Sequence, residues 1–116
     1  AVTYQVPVVI VLMNNGVLGM VRQWQKLFFA QRYSATVLNR KTDFVKLAEA
    51  FGARGCRVES PEEFRNAFEE ALRYDGPFVI DTKIGMDELV LPMLPPGGSI
   101  RDIITSVETE ENVCDL

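Results

Sequence analysis

Residues 1–85 predict an α/β fold, a parallel sheet with flanking helices, and three observations carry that prediction. "VPVVIVLM" (6–13) and "PFVI" (77–80) are apolar runs too short for a typical buried helix. Between them, apolar residues recur at helical three-and-four spacing. The resulting order of strand, helix, helix, strand, helix, strand is the alternation expected of a parallel sheet covered by helices.

The first strand runs from Val6 to Met13, with Pro7 near its start, where a missing N–H is tolerated. Its unbroken, β-branched character predicts burial on both faces, as in covered parallel sheets. From Val17 the apolar positions become Val17, Met20, Val21, Trp24, Leu27 and Phe28, one face of a helix. Residues 30–42 hold no period and form a loop. Asp43 is placed to cap a second helix carrying Phe44, Leu47, Ala48 and Phe51, and Gly52 stands where a left-handed C-terminal residue is usual. "ARGCRVES" (53–60) predicts a strand. "SPEEF" (60–64) then starts a helix, with Ser60 as N-cap, Pro61 at the first position and Glu63 as the capping-box acid. That helix turns Phe64, Ala67, Phe68, Ala71 and Leu72 inward and stops before "DGP", and the last strand follows.

Past Gly85 the pattern fails: Pro95, Pro96, Gly97 and Gly98 break any regular element. Residues 86–116 therefore read as a separate tail. Leu89, Val90, Leu91, Met93 and Leu94 are too apolar for a solvated linker, so the tail needs a surface to cover. "AVTYQVP" at the start reads as a helix end running into a strand, the middle of something longer.

Composition excludes several classes of partner. A net charge of −4 offers no basic face for nucleic acid or anionic lipid. No apolar stretch approaches the roughly 20 residues that span a bilayer, and no signal-peptide pattern opens the chain, so a cytoplasmic location is expected. Cys56 and Cys114 are too few for a disulfide framework, and there is no histidine to complete a zinc cluster. Cys56 reads as a small core residue and Cys114 as a tail thiol.

The junction "NNG" (14–16) is the informative place. In open parallel sheets the ligand crevice lies beyond the carboxyl ends of the strands, where Asn14 and Asn15 stand. Asn-Gly is also a hairpin signal, but a hairpin needs a strand after Gly16 and the following period is helical. A strand-to-helix connection with an Asn cap remains one reading. The other is a carboxamide oxygen offered to Mg²⁺, an ion that keeps few protein ligands and completes its shell from phosphate and water. No partner carboxylate is evident from sequence.

"LMNNGVLGMVRQWQKLFFAQRYSATVL" resembles the second half of the thiamin diphosphate motif of acetolactate synthase (acetohydroxyacid synthase) large subunits. The resemblance continues through "DFVKLAEAFGARGCRVESPEEF", "DGPFVIDTKI" and "VLPMLPPGGSIRDII", nearly the whole chain. It implies the back half of a pyrophosphate-binding domain of flavodoxin-like type over 1–85, with 86–116 folding over the active site. It further implies that Asn15 gives its side-chain oxygen, and Val17 its backbone carbonyl, to Mg²⁺, while Asn14 organises the turn. Met20 would lie near the reactive ring of thiamin diphosphate. Trp24 would border the substrate pocket, favour 2-ketobutyrate as acceptor and form part of the herbicide site. For Met20 and Trp24 plain core packing is the competing reading, since both fall on the apolar face. Phe28 and Phe29 would pack under the family's mobile segment, and Arg22, Gln23 and Gln25 receive no role beyond solvated helix positions.

The implied parent condenses pyruvate with pyruvate or 2-ketobutyrate, releasing CO2, toward branched-chain amino acids. It uses thiamin diphosphate, Mg²⁺ and an FAD bound outside this chain. Its partners would be the remainder of the large subunit, further large subunits in a dimer or tetramer, and a regulatory small subunit. The family motif opens with Gly-Asp-Gly, whose aspartate holds the metal, and none of residues 1–13 is acidic, so the segment alone is expected to be inactive. Two rivals stand beside this reading: another thiamin diphosphate enzyme of pyruvate oxidase or glyoxylate carboligase type, and a freestanding α/β interaction module.

Overall fold

Three parallel strands, β1 (Val9–Asn14), β2 (Arg54–Val58) and β3 (Phe78–Lys83), form one sheet in the spatial order β1-β3-β2. The structure, a computed structural model, describes residues 1–107; Cys114 lies outside the described residues. Val9 and Arg54 both stand opposite Phe78, so the three strands end level near Asn14, Lys83 and Val58. Helices α1 (Gly19–Phe28), α2 (Phe44–Ala50) and α3 (Pro61–Arg73) supply the connections.

The strand period of two divides the sheet into two faces. On one, Phe78 and Ile80 of β3 and Val58 of β2 pack with Ala67 and Ala71 of α3, and Val9, Cys56, Phe64 and Tyr74 close around them. Phe78 and Ile80 are fully buried, each stabilising the fold by about 1.5–3 kcal/mol relative to exposure. The small alanines let α3 lie close to the sheet. On the other face α2 lies over β2 and β3.

Helix ends follow local chemistry. Asp43 accepts from the N–H groups of Val45 and Lys46, and Gly52 adopts φ +81° after the last turn of α2. Ser60 accepts from Glu63 N–H, as expected, while the Glu63 carboxylate reaches one residue further back than a capping box requires, to Glu59 N–H at 2.7 Å.

Three expectations need correction. β1 was read as buried on both faces, yet Ile10 and Met13 are 47% and 58% exposed. It is an edge strand, and α2 stops short of it. On α3 only Ala67 and Ala71 are buried, whereas Leu72 is exposed, because one residue past Ala71 is already about 100° around the helix. On α2, Leu47 and Phe51 line an apolar groove of about 480 Å³ with Val2, Ile10, Leu12 and Val79 rather than entering a core.

Among its described residues the tail contains one 3-10 turn, Ile100–Asp102, whose Asp102 carboxylate accepts from both the N–H and the hydroxyl of Ser99. Met93 and Ile104 pair in an antiparallel bridge and fold the segment back on itself.

Candidate functional site

β1 delivers its last residue, Asn14, to the carboxyl edge of the sheet, where the chain must change from strand to helix. Gly16 makes the change at φ +70°, a conformation that favours glycine. Asn15 Oδ1 accepts from Val17 N–H at 3.1 Å, an Asx turn. Asn14 instead turns inward and donates its Nδ2 to Asp81 Oδ1 at 2.7 Å. The expected division of labour is thus altered: Asn15 itself organises the turn, and Asn14 anchors it to the sheet.

Asp81 is fully buried on the middle strand and also accepts from Arg57 Nε at 3.0 Å. The Arg57 guanidinium reaches on to Asp43, the cap of α2, at 3.4 Å. These contacts raise Arg57 above the ordinary arginine range, chiefly through its bond to Asp81. Asp43 is held below the usual carboxylate range, first by the Lys46 N–H and further by Arg57 and Lys46. The network ties four elements together at the asparagine turn: β1, β2, β3 and the cap of α2. Sequence reasoning missed it, and a charged residue inside "FVIDTK" was the available signal.

Val17 is buried and bridges Val37, and the two bonds of that bridge use the carbonyls of Gly16 and Thr36, leaving the Val17 carbonyl out of it. Gly19 begins α1 directly under Asn15: a Cβ there would fall 2.7 Å from Asn15 Nδ2. α1 has no side-chain cap and no acidic residue in its first turn. Its first N–H groups therefore suit an anion, as helix N-termini do for phosphates.

These donors fit Mg²⁺ bound with a diphosphate, in part. Asn15 Oδ1 keeps a second lone pair beyond its turn bond, and among the described residues no group of three or more acidic or metal-binding side chains assembles. Asp81 is already committed to Asn14 and Arg57. The chain offers neutral oxygens and a helix N-terminus, and a carboxylate ligand would come from elsewhere.

Met20 and Trp24 meet in one groove of about 420 Å³ with Val21, Gln25, Phe29 and Arg32. They are 49% and 37% exposed, so plain core packing does not describe them in this chain. Phe28 braces Trp24 edge to face at 5.7 Å. The residues given no role all hold other segments: Gln23 is 3% exposed and bonds Val90, half-buried Arg22 pairs with Asp87 at 2.8 Å, and half-buried Gln25 bonds Ser34. The tail thus finds part of its surface on α1. Cys56 is half-buried, and burial pushes its thiol up, away from nucleophilic chemistry. Among the described residues no helix is long and apolar enough to cross a membrane.

Comparison with known proteins agrees with this geometry. Residues 1–82, which hold all but the last residue of the sheet, match the family model described as thiamine pyrophosphate enzyme, C-terminal TPP binding domain. The chain is 41% identical over 110 residues to a probable acetolactate synthase large subunit of Methanocaldococcus jannaschii, covering 95% of this chain and 18% of that protein. It is 43% identical over 100 residues to the acetolactate synthase isozyme 2 large subunit of Escherichia coli, covering 86% of this chain and 18% of the relative. Among solved structures, the thiamine diphosphate-dependent 4-hydroxybenzoylformate decarboxylase of Rhodococcus jostii RHA1 superposes with a TM-score of 0.68 at 37% identity, over 77% of this chain and 17% of that one. The chain thus spans under a fifth of the length of these relatives. With a parallel sheet, an asparagine turn at its carboxyl edge and a family match across both, this chain belongs to the thiamine pyrophosphate enzymes, as their C-terminal TPP-binding domain.

Proposed function

We propose that this chain is the pyrophosphate-binding part of an acetolactate synthase large subunit, an enzyme that condenses pyruvate with pyruvate or 2-ketobutyrate and releases CO2. The observation that carries the reading is the Asn15 carboxamide set over Gly19 at the uncapped start of α1. The similarity to acetolactate synthases, at about 40% identity across most of the chain, selects the reaction.

Thiamin diphosphate, when bound, supplies the electron sink for decarboxylation. This chain's residues hold and orient. Asn15 Oδ1 and the Val17 carbonyl would give oxygens to Mg²⁺, and the N–H groups at the start of α1 would hold the diphosphate. Met20, on the groove shared with Trp24, would pack against the cofactor. Trp24 forms one wall of the acceptor pocket, where a flat aromatic face excludes water and selects the larger 2-ketobutyrate. The tail from 86 onward covers the same opening. FAD is held by a region outside these residues. The assembly is a dimer or tetramer of large subunits with a regulatory small subunit, in the cytoplasm.

Because the described residues bring no free carboxylate to Asn15, the 116-residue chain alone is expected to be inactive. Incubated with pyruvate, Mg²⁺, FAD and thiamin diphosphate, it yields no acetolactate; turnover by the pure chain contradicts this. The decarboxylase likeness supports a second reading, a related thiamin diphosphate enzyme that decarboxylates without joining a second keto acid. Product analysis of the full-length protein with pyruvate separates the two: acetolactate supports the proposal, acetaldehyde alone the alternative.

A further inference from the structure

Two glutamines on α1 each hold a single residue of a distant segment by both of its backbone groups. Gln23 Nε2 donates to the Val90 carbonyl at 3.0 Å while its Oε1 accepts from Val90 N–H at 2.8 Å. Gln25 repeats the arrangement on Ser34, donating to its carbonyl at 3.1 Å and accepting from its N–H at 3.2 Å. A carboxamide places a donor and an acceptor side by side in one plane, so it can satisfy a peptide edge as a neighbouring strand does. Two positions along a helix are about 200° apart, so the held segments lie on roughly opposite sides of α1.

Arg22 joins the two. Its Nε bonds Asp87 of the tail at 2.8 Å, and its guanidinium lies 4.0 Å from the Tyr33 ring centre. Gln23 also brings Nε2 within 3.1 Å of Met93 Sδ. The Ser34 side begins with Ala30 and Gln31 at φ 49° and 56°, positions that a chain adopts only when its surroundings hold it there. Phe29 and Arg32 of that turn line the groove around Trp24.

We propose that Gln23 and Gln25 are positioning residues: carboxamides two residues apart on α1 that seat segment 86–93 along one side of the helix and segment 29–34, whose Phe29 and Arg32 line the Trp24 groove, along the other. The consequence for substrate choice rests on the reading of that groove as the acceptor pocket. The seating itself does not, and it is measured without turnover.

The test is amide hydrogen exchange, expressed as protection relative to intrinsic rates, in the full polypeptide that carries these residues. In the unsubstituted protein the Val90 amide is protected although the residue is 64% exposed. Gln23→Glu at neutral pH keeps an acceptor for Val90 N–H but sets a carboxylate against its carbonyl, and protection of 86–93 falls by roughly tenfold. Burial at position 23 raises the introduced carboxyl above the range of Asp87, so lowering the pH to about 5 restores an O–H donor, and with it the protection, before the Arg22–Asp87 tie is lost. The charged groups facing this position are Arg22 and Lys26 on α1 and Asp87 and Glu88 on the tail. The unsubstituted protein carries the same four and shows no such recovery. Gln23→Met, close in length but without polar atoms, loses protection at every pH. Gln25→Glu releases 29–34 and leaves 86–93 protected.

An unprotected Val90 amide in the unsubstituted protein overturns the proposal. So does Gln23→Glu with unchanged protection at neutral pH, or with a loss that acid does not reverse. If Gln23→Glu does not fold, the Val90 amide of the unsubstituted protein and the half-exposed Gln25→Glu still decide the matter. None of these readouts depends on acetolactate formation, so a failed functional reading and a failed seating are distinguished.

Discussion

Asn14, at the end of β1, donates to Asp81, a fully buried carboxylate 67 residues later on the neighbouring strand, at 2.7 Å. The asparagine turn is therefore anchored in the sheet. Asp81→Ala leaves the Asn14 amide without its buried acceptor and removes the Arg57 contact; water replaces the latter at the exposed guanidinium. The expected cost is about 1–3 kcal/mol, seen as a lower urea midpoint with an unchanged slope. A shift no larger than that of a surface substitution contradicts the anchoring.

Gly19→Ala separates the site from the fold. Alanine is the better helix former, which offsets much of the turn bond to Val17 N–H that a displaced Asn15 gives up, so stability changes by no more than about 1 kcal/mol. The added Cβ falls 2.7 Å from Asn15 Nδ2, and the carboxamide must swing away. In the full-length protein, Mg²⁺-dependent binding of thiamin diphosphate is expected to weaken while the thermal midpoint moves little. Unaltered binding shows that the Asn15 placement over Gly19 is immaterial.

Trp24→Leu keeps an apolar wall and removes the ring that Phe28 braces. In the full-length enzyme, supplied with pyruvate and 2-ketobutyrate together, the expected result is a smaller share of the 2-ketobutyrate product. An unchanged product ratio places Trp24 outside the acceptor pocket.

Acid should loosen the tail. The Arg22 hydrogen bond holds Asp87 below the usual carboxylate range, and the Ser99 N–H and hydroxyl do the same for Asp102. A depressed folded pKa contributes stability above the unfolded value, about 4, and loses it as pH falls through the folded value. Protease cleavage within 86–107 is thus expected to be flat from pH 7 to 5 and to rise below about 4. Asp87→Asn removes part of that pH dependence. Identical acid profiles for the two proteins count against the Arg22–Asp87 tie.

What could be read from sequence was what local chemistry decides. Ser60, Pro61 and Glu63 act within one turn, and they start α3 where expected. The alternation of elements predicted the parallel sheet for the same reason. β1 illustrates the limit: an unbroken apolar run reports that a strand suits burial, not which neighbours cover it, and this one lies at an edge. Gln23 looked like a solvated position beside an apolar face. Its partners, Val90 and Met93, are 67 and 70 residues away, and no helical period reports them. Asp81 escaped notice likewise, because Asn14 and Arg57 meet it only once the strands are in register.

Binding of a divalent ion by the Asn15 side-chain oxygen stands at the centre of the site. It is tested most directly by titrating Mg²⁺ into the full-length protein with saturating thiamin diphosphate, before and after Asn15→Ala, with cofactor binding followed by intrinsic fluorescence. Loss of one oxygen from so small a set of protein ligands should raise the Mg²⁺ requirement by more than about tenfold, while the lost turn bond to Val17 N–H lowers apo stability by only about 1 kcal/mol. Superimposable Mg²⁺ curves for the two proteins contradict the account.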